Sequence, residues 1–264
     1  MSAYRFALRP RWILSHVLVV LLVVLMVNLG FWQLRRLDEK RDFNATARAR
    51  QAAAPAPLDE VLAATDSFDD AQAVTFRRVT ARGTYDTDHE VLVRGRSLDE
   101  RPGAWVLTPL LLDGGAAVIV NRGWIPTQGV PDHVPAEVEP PDGTVSVSGQ
   151  LMATQTRGRF GPKDPASGTL TDLARADVGR IQQQVPYDLY PALVQVAEQR
   201  PAQDNGLPEP LPPAHLDEGP HLSYALQWFC FSTIAVVGYP IILRRRARSG
   251  TPNGASPAPG TERG

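Results

Sequence analysis

Hydrophobic residues are concentrated in two long segments near the ends of the chain. The first runs from Trp12 to Leu34, with His16 as its only ionisable residue. The second runs from Leu222 to Leu243 and contains no Asp, Glu, Lys, Arg or His. At about 1.5 Å per residue the second segment would extend roughly 33 Å as a helix, enough to cross a bilayer core. Both segments are therefore predicted to be transmembrane helices.

The positive charges near these segments predict an orientation. Arginines at positions 5, 9 and 11 precede the first segment, and Arg244, Arg245, Arg246 and Arg248 follow the second. The flank 216–220 contains no Lys or Arg, whereas 35–42 mixes basic with acidic residues. The first segment is longer than the apolar core of a signal peptide, about 7–15 residues. By the positive-inside rule, both termini are predicted to be cytoplasmic and the intervening residues external.

Between the two segments, apolar and polar residues alternate over stretches of strand length. Strands are predicted at 75–85, 90–94, 104–112, 116–121, 144–152 and 189–196, with Asp113-Gly114-Gly115 as a hairpin turn. A helix is predicted at 171–184. The protein is thus expected to be an α+β membrane protein, in which two transmembrane helices flank an external antiparallel β-rich domain, a small barrel or sandwich.

The pattern divides the chain into five parts. They are a cytoplasmic N-terminus (1–11), transmembrane helix 1 (12–34), the external domain (35–220), transmembrane helix 2 (221–243) and a basic cytoplasmic tail (244–264). The first helix is expected to continue to about Arg50. Six prolines between Arg200 and Pro220 predict an extended connector there, and the tail from Ser249, rich in Gly, Pro and Ser, is predicted to be disordered.

Composition excludes several classes of function. A formal net charge of −1 provides no basic surface for nucleic acid. The single cysteine, Cys230, lies in the second apolar segment, so neither a disulfide framework nor a paired-thiol redox site can form. The sequence has no Walker loop, no His-Glu-x-x-His and no Ser–His–Asp motif. We therefore expect no catalytic activity.

One candidate ligand site lies at the start of the second apolar segment. In a helix, the seven-residue step from His221 to Trp228 returns to the same face, with Ala225 between them and Tyr224 at the side. An imidazole at the membrane surface would then lie above an indole, separated by a small residue, an arrangement that could form a ligand site. The alternative is an interfacial histidine and a packed membrane indole.

A second candidate lies where an apolar strand ends. Arg122 could pair with a carboxylate of a ligand or partner, and Trp124 could stack on a flat group. The alternative, which we favour, is a structural corner in which Gly123 adopts an unusual backbone angle and Trp124 is packed. The polar residues at 86–90 lie between two predicted strands and are interpreted as a solvated turn rather than a metal site.

Three blocks of sequence resemble one known family. They are LGFWQLRRL (29–37), RSLDERPGAWVLTPLLLDGGAAVIVNRGWIP (96–126) and HLSYALQW (221–228). Their order and spacing, together with the two predicted spans, resemble the Surfeit locus protein 1 family of cytochrome c oxidase assembly factors across nearly the whole chain. VNRGW and HLxYAxxW together are specific, whereas LGxWQ alone is weak.

The resemblance implies a role in inserting haem a into the catalytic subunit of the oxidase. It implies His221 as the axial ligand of the haem iron and Trp228 as a nearby aromatic contact, beside Tyr224. From their depth along the first helix, and apart from the resemblance, we expect Arg35 or Arg36 to meet the haem carboxylates. Haem A synthase and other assembly factors are further candidate partners, besides membrane lipid.

The resemblance also implies a location and leaves one alternative open. A bacterial cell membrane is expected, with the mitochondrial inner membrane as the alternative. The rival function is a membrane-anchored scaffold that binds proteins and no haem. Family members often have Asn before the histidine, whereas this chain has Gly219-Pro220, which removes one hydrogen-bonding partner for the imidazole.

Overall fold

The structure, a computed structural model, describes residues 4–127, 134–203 and 206–249. They fall into two compact units. One contains the residues up to Asn44 together with those from Asp217 onward, and the other contains Ala45–Leu216. Almost all of the tail that was predicted to be disordered lies outside the described residues.

The described residues form five α-helices and eight β-strands. The helices are α1 (Pro10–Ala52), α2 (Leu58–Leu62), α3 (Phe68–Ala73), α4 (Val178–Gln182) and α5 (His221–Ser249). The strands are β1 (Ala56–Pro57), β2 (Arg78–Tyr85), β3 (Val91–Leu98), β4 (Arg101–Leu112), β5 (Ala117–Pro126), β6 (Thr144–Ala153), β7 (Asp172–Leu173) and β8 (Leu189–Arg200).

Helices α1 and α5 contain the two apolar segments, and each is long and apolar enough to cross a membrane. They pack antiparallel, because Gln33 meets His221 at one end and His16 meets Tyr239 at the other. Along α1 the contact positions recur at alternating steps of three and four residues, and the most buried are Met26, Gly30, Leu37 and Asn44. This spacing of about 3.5 residues is typical of two helices wound around each other.

The two helices approach each other closely at Gly30. A Cβ atom added at this position would lie 2.7 Å from the ring of Phe229, closer than atoms in real proteins approach. The neighbouring Phe31 ring packs edge-on against the same Phe229, with the ring centroids 5.4 Å apart. The glycine therefore provides the space that the aromatic ring of α5 occupies, as small residues do between membrane helices.

The second unit is a closed β-barrel. Its strands are paired in the order β2-β6-β8-β5-β4, and β4 pairs back with β2 through Gly83–Leu112 and Tyr85–Leu110. Neighbouring barrel strands are antiparallel except β5 and β8, which are parallel. Strand β3 continues the sheet from β4, and β7 pairs with the outer edge of β3. Of the two predicted alternatives, the barrel is the one that forms.

Strand β5 is covered on both faces, which explains its unbroken apolar sequence. Val118 and Val120 pack into one buried cluster with Val147, whereas Ile119 points to the other side and packs against Ile181. All residues of β5 except its terminal Pro126 are buried. The first cluster also takes in α2, so residues preceding the predicted strands belong to the barrel core.

The predicted helix at 171–184 is wrong over its first half. Only Val178–Gln182 is α-helical, and the helix begins where the Asp177 side chain accepts a hydrogen bond from the Arg180 N–H at 3.1 Å. Upstream, Asp172–Leu173 forms β7, and Leu173 is fully buried. Pairing with the open edge of β3 and burial of this leucine outweigh the local helical pattern.

The predicted strand bounds need smaller corrections. The strand expected from Thr75 begins at Arg78, since the Thr75 hydroxyl donates to Ala71 O and continues the turn after α3. The hairpin at Asp113-Gly114-Gly115 is confirmed, with Leu112 and Ala116 hydrogen-bonded across it. The connector before α5 contains no helix in its described residues, as its prolines predicted.

Candidate ligand site at the start of helix α5

Helix α5 begins at His221, and the chain that leads into it is fixed against α1. The Asn44 amide donates to Asp217 O at 2.8 Å, and Arg41 pairs with Glu218 at 3.0 Å. Gly219 then turns the chain with a φ of +67°, a conformation that glycine adopts at little cost. His221 therefore lies between a segment that is hydrogen-bonded to α1 and the first turn of α5, and both restrict the position of its backbone.

The His221 ring is oriented by Gln33 of α1. Its Nδ1 lies 2.8 Å from the Gln33 Oε1 atom. An amide oxygen only accepts hydrogen bonds, so a neutral ring paired in this way carries its hydrogen on Nδ1 and its lone pair on Nε2. Nε2 makes no hydrogen bond to any part of the chain that the structure describes. This nitrogen is the atom that a metal-ligating histidine would offer.

Gly219 lies next to that nitrogen. A Cβ atom at this position would lie 3.5 Å from both Nε2 and Cδ2 of His221. Gly219-Pro220 stands before the histidine in place of the Asn that the resemblance led us to expect, and Gln33 of the neighbouring helix is the hydrogen-bonding partner of the imidazole. Gln33 was not predicted, because it is 188 positions from His221 in the sequence.

The predicted face of α5 lies along its contact with α1. Ala225 and Ser232 are buried there, whereas His221 and Trp228 are half-buried. The Trp228 ring packs edge-on against Phe231, with the ring centroids 6.2 Å apart. The imidazole and indole are thus held on one side and accessible on the other. Tyr224, predicted at the flank of this face, is exposed.

The two arginines predicted to meet carboxylates differ in position. Both are exposed, and Arg36 pairs with Glu39 of its own helix at 2.7 Å. Three residues in a helix rotate by about 300°, so Arg36 lies about 60° from Gln33 around α1, whereas Arg35 lies about 160° from it. Only Arg36 is on the side of α1 that carries Gln33.

The side chains of the second candidate site, at the end of β5, are buried and hydrogen-bonded within the barrel unit. Arg122 is 5% exposed; it donates to the Glu90 carboxylate at 2.8 Å and to Val138 O and Gln203 Oε1. Burial raises the pKa of Glu90, against the opposing effect of the Arg122 charge. Trp124 is fully buried, and its indole N–H donates to Arg96 O. Neither side chain is available for direct contact with a partner, so the geometry supports the structural corner.

Gly123 explains why this corner has its sequence. Its φ is +140°, and an added Cβ would lie 2.4 Å from Glu209 O of the connector. Trp124 and Glu209 exchange two backbone hydrogen bonds, at 2.8 and 2.7 Å, while Arg101 holds the Glu209 carboxylate through both terminal nitrogens. The unusual backbone angle predicted for Gly123 is confirmed, and its consequence is that the connector is fastened to the barrel.

The polar residues at 86–90 form a hydrogen-bonded turn that is less solvated than predicted. The Asp86 carboxylate accepts from the Tyr187 hydroxyl at 2.6 Å and lies 2.7 Å from Nδ1 of His89. Burial acts to raise the pKa of Asp86, but these hydrogen bonds outweigh it and the pKa is lowered. Among the described residues no group of three or more His, Cys, Asp or Glu side chains could hold a metal ion.

Comparison with known proteins identifies the family to which this chain belongs. The model of the SURF1 family matches residues 20–233, which include the whole barrel and part of each long helix. The chain belongs to the SURF1 family. Members of this family are known in general as oxidase assembly factors.

Relatives match over nearly their whole lengths. Uncharacterized SURF1-like proteins of Mycobacterium bovis and Mycobacterium tuberculosis are each 32% identical over 260 residues, covering 96% of this chain and 93% of theirs. A SURF1-like protein of Monosiga brevicollis is 28% identical over 241 residues, or 86% of this chain and 87% of that protein. The similarity therefore extends over the two long helices as well as the barrel.

Proposed function

We propose that this protein is an assembly factor of haem-copper cytochrome c oxidase that binds haem a and assists its insertion into the catalytic subunit. The observation that carries the proposal is the His221–Gln33 hydrogen bond, which leaves Nε2 of a half-buried imidazole without a partner among the described residues. Membership of the SURF1 family supplies the oxidase as the process served.

The chemistry of the site suits such a ligand. Haem supplies an iron that takes one axial nitrogen, an extended apolar ring and two carboxylates at one edge. His221 provides the nitrogen, Trp228 an aromatic surface on the same helix face, and Arg36 a cation on the side of α1 that carries Gln33. A single protein ligand also suits a carrier, because the cargo must be released to the oxidase.

The proposal places the site at a membrane boundary. Helices α1 and α5 would cross the bilayer, with both termini in the cytoplasm and His221 at the external surface. The arginines at both ends of the chain and the acidic flank before α5 support this orientation. Haem A synthase and the catalytic subunit of the oxidase, both membrane proteins of this process, are the proposed neighbours.

The deciding experiment is the optical spectrum of the purified protein from cells that make haem a. Wild-type protein should show a haem a band. The His221→Ala variant should lose it while its amount in the membrane stays nearly normal, because little packing is lost at a helix end. The Trp12→Phe variant, altered at the other end of α1, should retain the band. An unchanged band in His221→Ala, at unchanged stoichiometry, would favour the scaffold function instead.

A further inference from the structure

The side of α1 that faces away from α5 carries its own regular stripe of residues. The stripe consists of Leu14, Leu18, Leu21, Leu25, Asn28 and Trp32, again at alternating steps of four and three. Each member lies two residues from a position in the contact with α5, a rotation of about 200°. All six side chains are exposed, and the five apolar ones are between 50% and 69% exposed.

Asn28 is the polar member of this stripe. Its Nδ2 donates to Val24 O of its own helix at 2.8 Å. Within the part of the chain that the structure describes, its Oδ1 accepts no hydrogen bond. Asn28 lies six residues before the end of the apolar segment at Leu34, about 9 Å along the helix, and its short side chain cannot reach the interface. An exposed carboxamide at this depth in a bilayer is costly unless another group pairs with it.

We propose that α1 pairs with α1 of a second copy of this chain, in parallel, through the leucine and Asn28 stripe. Leucines repeating about every 3.5 residues interdigitate between two parallel helices, and a single Asn among them fixes register and the number of helices. The inference rests on the proposed crossing of the membrane by α1.

Symmetry is the reason for choosing a second copy as the partner. A two-fold axis along the membrane normal brings the two Asn28 side chains to the same depth, whatever the lateral packing. A carboxamide both donates and accepts, so each side chain supplies what the other needs. An unrelated helix would need a polar residue at one particular depth. The contact leaves the His221–Gln33 side of α1 uncovered, since the stripe is on the opposite side.

Cysteine cross-linking in native membranes tests the contact directly. Cys230 is first replaced by Ser, and the full-length chain then receives either Leu25→Cys or Val24→Cys. These neighbours are similarly exposed, 55% and 53%, but lie about 100° apart around the helix. On oxidation, Leu25→Cys should give a product of twice the 28.8 kDa chain mass, and Val24→Cys should give little. Equal yields, or a product of Leu25→Cys with another protein alone, would overturn the proposal.

The role of the carboxamide is tested by Asn28→Leu, with Gln227→Leu on the exposed side of α5 as the matched control. In lipid vesicles, Asn28→Leu should raise the dissociation constant of the dimer about tenfold, as expected for loss of hydrogen bonds between membrane helices. Gln227→Leu should leave it unchanged. Wild-type protein that resists extraction at alkaline pH yet is monomeric would overturn the dimer alone. Protein released at alkaline pH would instead overturn the membrane placement on which both proposals depend.

Discussion

The start of α5 and the corner at the end of β5 both combine a basic side chain with a tryptophan, yet they differ in what remains available. At the corner, both terminal nitrogens of Arg122 are bound within the barrel unit and Trp124 is fully buried. At α5, one nitrogen of His221 is held by Gln33 and the other is unpaired among the described residues. The Nε atom of Arg122 also lacks a hydrogen-bond partner, but it is buried, whereas the His221 ring is only half-buried. A polar motif is a candidate site where its fold leaves an accessible atom unused, and of these two regions the start of α5 meets that condition.

The largest predicted effect is a loss of stability when the Arg122–Glu90 ion pair at the end of β5 is disrupted. Arg122→Ala leaves the Glu90 carboxylate buried without its cation, which typically costs about 3–5 kcal/mol of unfolding free energy. Urea unfolding of a fragment from Ala45 to Leu216, followed by tryptophan fluorescence, would measure it. The double variant Glu90→Leu with Arg122→Met should recover part of the loss. A single variant as stable as wild type would show that the pair is not the structural centre of the corner.

Gln33→Leu, which changes the α1 residue that contacts His221, should weaken ligand binding and leave the stability of the fold nearly unchanged. Without the Oε1 acceptor the imidazole loses its fixed orientation, and affinity for haem a should fall about 10–100-fold, as for other partners of metal-ligating histidines. Titration of apoprotein with haem a would measure the affinity. Gln33→Glu keeps an acceptor for Nδ1 and should be milder. Equal affinity in wild type and Gln33→Leu would remove Gln33 from the site.

A smaller effect is expected at Trp228. Trp228→Phe keeps an aromatic surface but loses contact area, so haem a retention should fall only a few-fold, about 0.5–1.5 kcal/mol. Trp228→Ala should be clearly worse. The ratio of haem a to protein after purification measures both. If the Trp228→Ala and Trp228→Phe variants retain haem a equally, then the Trp228 indole packs against Phe231 and does not bind haem. Its role would then be structural, like that of Trp124 at the end of β5.

The smallest effect is a pH dependence of barrel stability. The lowered pKa of Asp86 means that its contribution to stability is present above the ordinary pKa of about 4 and is lost as pH falls through the folded-state value. Asp86→Asn should therefore be less stable than wild type at about pH 6, and the difference should shrink at about pH 3. Urea unfolding of the same fragment at both pH values checks this. A difference that stays constant with pH would assign the loss to packing.

The sequence predicts the local elements of this protein well and its long-range pairings poorly. Hydropathy identifies both long helices, and Asp113-Gly114-Gly115 identifies its hairpin, because both depend on residues close together in the chain. Closure of the barrel depends on Gly83 meeting Leu112, and the local sequence does not specify that pairing. Leu173 illustrates the conflict, because its neighbours suit a helix while the edge of β3 makes it a strand.

The candidate site shows the same division. Helical periodicity places His221, Ala225 and Trp228 on one face without any tertiary information. The hydrogen bond from Gln33 depends on how α1 packs against α5, which no local pattern encodes. The burial of Arg122 could be suspected from its apolar neighbours in VNRGW, but its partner Glu90 is 32 positions away.

The position of β8 in the barrel has a consequence for how the chain folds. This strand lies between β5 and β6 yet is the last barrel strand to be synthesised. Until it is complete, β5 and β6 present unpaired edges, the form in which sheets associate with other chains. Closing the barrel also brings together segments distant in sequence, which slows folding. A nascent chain shortened before Leu189 would therefore be prone to aggregate, and a chaperone holding those two edges would improve its yield.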